Sequence, residues 1–84
     1  MAHKRKVFAK REIESFELNA DYYAETFANG NKIHVAEELS ELLLCSMMVF
    51  MRIYTDLPKD VQNFVLNSNF IRDAHMMIIM KFNA

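Results

Sequence analysis

Glu37, Glu38 and Glu41 form the densest group of ionisable side chains in the sequence, with His34 one turn before Glu38. On a helix, Glu38 and Glu41 share one face and Glu37 neighbours Glu41 at i, i+4. Carboxylates this close repel one another unless a divalent cation or a base neutralises them. Asp73, beside His75 and far along the chain, is the acid that would complete a metal set of Glu37, Glu38, Glu41 and Asp73. The simpler expectation is a solvated acidic face near a helix start, where the helix dipole favours acids. On that reading the chain holds no metal and no cofactor. Cys45 lies inside an apolar run with no base near it, which predicts an inert thiol rather than a nucleophile. Gly-rich phosphate loops, Ser–His–Asp sets and aromatic–basic interleaving are all missing from the sequence. The expectation is therefore a protein that is not an enzyme.

Two segments carry family-like patterns. Lys32-Ile33-His34-Val35-Ala36-Glu37-Glu38-Leu39-Ser40-Glu41-Leu42-Leu43 resembles the metal-binding helix of the all-α nucleoside triphosphate pyrophosphohydrolases, the MazG-like group. The resemblance implies Mg²⁺ on Glu37, Glu38 and Glu41, with Asp73 standing for the Asp of the family's second, Glu-x-x-Asp helix. Position 70 is Phe where that pattern has Glu, so the implied enzyme is a degenerate one. Arg52-Ile53-Tyr54-Thr55-Asp56-Leu57-Pro58-Lys59-Asp60-Val61-Gln62-Asn63-Phe64-Val65 is similar to the helix–Pro–helix ending of the Hha/YmoA nucleoid modulators. That resemblance implies binding to another protein that is itself on DNA.

Composition bounds the rest. The chain has 84 residues, 52% of them apolar and 25% charged, which suits one globular domain and excludes wholesale disorder. One Gly and one Pro exclude a turn-rich all-β domain. A single Cys cannot close an intrachain disulfide, which predicts a reducing, cytoplasmic setting. No membrane-spanning stretch is expected, since Leu42 to Met51 is the longest near-apolar run and Arg52 stops it. The basic N-terminus has no apolar stretch behind it, so no secretory signal is expected either.

Charge is unevenly spread. Lys4, Arg5, Lys6, Lys10 and Arg11 lie in the first eleven positions, whereas all eleven acids fall from Glu12 onward. The chain reads as a basic arm over residues 1–9 and a helical domain over residues 10–84. A basic arm on an acidic body is a layout for touching phosphate or an acidic protein surface.

Turn-like clusters at Asn29-Gly30-Asn31, Thr55-Asp56-Leu57-Pro58 and Asn67-Ser68-Asn69 divide the chain into four pieces. Ile13, Phe16, Ala20, Tyr23, Ala24 and Phe27 form one stripe of a first helix over about residues 10–28. A second helix, over about 32–55, turns apolar on every face from Leu42 to Met51. A third runs over about 57–66, with Pro58 in its first turn and Asp56 as its cap. The last piece, from about 69, reads as a helix, with a short strand over Met76 to Met80 as the alternative.

The expected fold is all-α, a small bundle of about four helices assembled as a homodimer or higher oligomer. Leu44, Met47, Met48 and Met51 are the expected oligomer interface, since a chain this short can hardly cover them alone. The expected function is a small binding protein acting as an accessory regulator or inhibitor on a macromolecular partner. Its size suits proteins of phages and mobile elements. The partner surface would comprise Lys4, Arg5, Lys6, Lys10 and Arg11 of the arm, and Glu14, Glu17, Asp21 and Glu25 of the acidic first helix. Nucleic-acid binding through the arm is the second reading, and a MazG-like hydrolase the third.

Overall fold

The computed structural model describes residues 11–83, with side chains through residue 81. Among the described residues there are one 3-10 turn (Ile13–Ser15), five α-helices and no strand. The helices are α1 (Ala20–Ala28), α2 (Lys32–Cys45), α3 (Met47–Thr55), α4 (Lys59–Leu66) and α5 (Asn69–Asn83). The all-α expectation holds, but the helix count is five rather than about four.

The fifth helix comes from Ser46. Its backbone is extended, at φ −161° and ψ 108°, in the middle of the expected second helix. Its N–H donates to the Leu42 carbonyl at 2.8 Å and closes α2. Its hydroxyl accepts from the Val49 N–H at 3.2 Å and opens α3. Serine is a strong N-cap because its short hydroxyl reaches a backbone donor that the helix leaves unpaired. The break splits the apolar run in two. Leu42 and Leu43 stay in the core, and α3 turns Phe50 and Ile53 inward while Met47, Met48 and Met51 face out.

The expected first helix is also shorter than its stripe. Asn19 accepts from the Asp21 N–H at 2.8 Å, so the regular helix starts at Ala20 rather than near residue 10. Phe16 is nevertheless buried, from an extended residue just after the 3-10 turn. Gly30, at φ 98°, makes the reversal from α1 to α2 in a conformation that costs glycine little.

Asp56 does not cap α4. It ends α3, its N–H donating to the Ile53 carbonyl, and Pro58 holds the position before α4. α3 and α4 are tied by a reciprocal pair: the Gln62 side-chain amide donates to the Tyr54 carbonyl at 2.8 Å, and the Tyr54 hydroxyl donates to the Gln62 carbonyl at 3.3 Å. Ser68 starts α5 by accepting from the Ile71 N–H, and the strand alternative for Met76 to Met80 is not realised.

α2 is the central helix, with α1, α3, α4 and α5 all packed on it. Val35, Leu39 and Leu42 of α2 are fully enclosed by Tyr23, Phe27, Phe50, Ile53, Val61, Val65, Ile71 and Ala74 from the other four. Phe27 meets Phe64 of α4 edge-on, with ring centroids 5.5 Å apart. Among the described residues no helix is long and apolar enough to cross a membrane.

Candidate functional site

The acids of α2 lie neither in its first turn, where the dipole would favour them, nor on a solvated face. Glu38 and Glu41 lie on one side of the helix and are both partly buried under Arg11. One guanidinium nitrogen, Nη1, donates to Glu38 Oε2 at 2.9 Å and to Glu41 Oε1 at 2.8 Å. The other two nitrogens hold the 3-10 turn: Nε donates to the Ser15 hydroxyl and Nη2 to the Ser15 carbonyl, each at 3.1 Å. The guanidinium also lies over the Phe16 ring, so its flat, weakly hydrated face is used as well as its donors. The two carboxylates raise the Arg11 pKa further above its already high ordinary value, which leaves a permanent cation there. The Arg11 guanidinium offsets the repulsion between Glu38 and Glu41.

Beneath this clasp lies Tyr23. Its side chain is fully buried and its hydroxyl has no hydrogen-bond partner among the described residues. Burial, reinforced by the charge of Glu38, raises its pKa above that of an ordinary tyrosine. The Cys45 thiol, at the far end of α2, donates to the Arg11 carbonyl at 3.3 Å. The chain at Arg11 is thus held from both sides, by side chain and by backbone.

The expected site residues separate into three sets. Lys4, Arg5, Lys6 and Lys10 lie outside the described residues. Arg11, expected on a partner-binding arm, is instead spent inside the molecule. Glu14, Glu17, Asp21 and Glu25 are exposed, and none is in an ion pair with another described residue. Of the expected interface, Leu44 is half-buried against the core while Met47, Met48 and Met51 are exposed. Among the described residues no three His, Cys, Asp or Glu side chains are grouped to hold a metal ion, so Glu37, Glu38, Glu41 and Asp73 do not converge.

Sequence reasoning missed the clasp. Arg11 pairs across 27 and 30 residues of sequence, a distance that helical spacing cannot reveal. The methionines of the last helix are legible in the sequence as a second Met-Met-x-x-Met at 76–80, after the one at 47–51, readable as core or as an adaptable surface. They prove outward: Met76, Met77 and Met80 are exposed, as is Ile79. No family model matches the chain, and neither a curated protein nor a solved structure shows significant similarity to it.

Proposed function

We propose that the protein is a small, non-enzymatic binding protein, an accessory regulator or inhibitor that acts as a homo-oligomer on a protein partner. The observation that carries this reading is the outward-facing methionines of α3 and α5. Large exposed apolar patches on a small protein mark contact surfaces, and flexible thioether side chains adapt to whatever covers them. A second surface stays polar. Glu17, Asp21 and Glu25 stand in solvent around α1, a face suited to a basic patch on the partner.

The test is affinity capture from the native host with the wild type and with a Glu17→Lys, Asp21→Lys, Glu25→Lys variant. A protein held by the wild type and lost with the variant supports the reading. A bound protein indifferent to the charge reversal removes α1 from the partner surface. Recovery of nucleic acid alone, abolished by deleting residues 1–9 with Arg11 retained, replaces this reading with nucleic-acid binding through the basic arm. Mg²⁺-dependent nucleotide hydrolysis by the purified chain replaces it with the MazG-like one.

A further inference from the structure

We infer that two copies pair by reciprocal exchange of their methionine patches, the outer half of α5 in each copy lying on α3 of the other. This rests on the homo-oligomeric part of the reading above and names the surfaces that make it. Two observations point to it. First, α5 is anchored to the core by Ile71 and Ala74, and of the described side chains beyond them, through residue 81, only Ile78 is partly covered. Residues 76–80 advance about 100° each around the helix axis, so this uncharged stretch is apolar on nearly every side. α2 covers one side; the remainder needs an apolar cover of its own. Second, α3 presents Met47, Met48 and Met51, which match Met76, Met77 and Met80 residue for residue in spacing and chemistry.

Area decides between the ways of pairing these patches. From their exposures, the α3 and α5 patches together amount to roughly 700 Å² per copy, close to the ~800 Å² per partner of a stable interface. Either patch paired with its own twin would bury only about half of that, the size of an incidental contact. Only an arrangement that covers both on both copies reaches the required size. An α5-on-α3 contact repeated by two-fold symmetry does so and closes, leaving no free patch to extend a filament.

Sedimentation equilibrium at micromolar concentration tests this with the full chain. The wild type is expected at twice 9.9 kDa. Met48→Glu and Met80→Lys, at sites 75% and 63% exposed, should each weaken the dimer by at least tenfold while leaving the helical signal unchanged. Mixed in equal amounts, the two variants should dimerise again. In the mixed pair one α5–α3 contact is wild type and the other sets Lys against Glu. A wild-type monomer, a dimer indifferent to either change, or a mixture that stays monomeric overturns the arrangement. Met47→Glu with Met76→Lys repeats the exchange should a first variant lose its helical signal. A wild-type monomer would sink this pairing together with the homo-oligomeric part of the reading above. It would leave the protein-partner part standing, since the capture experiment reads the partner surface on α1 separately. A dimer indifferent to the changes would sink this pairing alone.

Discussion

The Arg11 guanidinium carbon sits 3.8 Å from the centroid of the Phe16 ring. Through this stack the 3-10 turn gains a packed cover for Phe16, and the acids of α2 gain their counter-charge, from one side chain. Arg11 thus ties the N-terminal edge of the described structure to α2, alongside the packing of Ile13 and Phe16 on the core.

Arg11→Ala should lower stability by about 1–3 kcal/mol, because it leaves two partly buried carboxylates facing each other unpaired. Arg11→Lys should recover only part of this, since an ammonium can neither stack flat on Phe16 nor reach Ser15 and both acids together. Millimolar Mg²⁺ should leave the wild-type melting temperature unchanged while Arg11 occupies Glu38 and Glu41. Urea titrations and thermal melts with and without the metal check all three outcomes.

Tyr23→Phe should raise stability by about 1 kcal/mol, since it removes a buried hydroxyl that has no partner among the described residues and keeps the ring. The pH dependence follows from the raised pKa. Above pH ~10 an unfolded tyrosine loses its proton while folded Tyr23 keeps it. The unfolded state then binds fewer protons than the folded one, so stability is complete below pH ~10 and falls as pH rises beyond it. The Phe variant should lose less over that alkaline range, read as a shallower decline of melting temperature than in the wild type.

Ser46→Ala should cost about 1 kcal/mol through loss of the α3 cap. The contrast with Ser40→Ala is informative. Ser40 is equally a serine of the α2 region, but its hydroxyl donates to the Glu37 carbonyl within the helix and caps nothing. Its replacement should change stability less than that of Ser46, as chemical denaturation of the two variants will show.

Local signals were legible where several residues agreed. Asn67, Ser68 and Asn69 together announced the α4–α5 break, and Gly30 between two Asn residues announced the first reversal. Ser46 stood alone in an apolar run, where a lone serine is compatible with a continuing helix, so the division of α2 from α3 was hidden. The inward pair Tyr23 and Phe27 followed from helical spacing. The clasp of Arg11 on Glu38 and Glu41 did not, because it depends on where the chain returns in space. Charge clustering at the N-terminus suggested a free arm, whereas its last member is an internal counter-ion.

The outward methionines have a chemical consequence beyond contact. Thioether sulfur takes up a single oxygen atom from peroxide, and the sulfoxide is polar, chiral and reversible by dedicated reductases. In an unpaired copy Met48, three-quarters in solvent, and Met80 are open to such an oxidant without any unfolding of the chain, whereas pairing through them would cover both. An exterior built from leucine would stay greasy under every condition. This one keeps its greasy character only while its surroundings remain reducing.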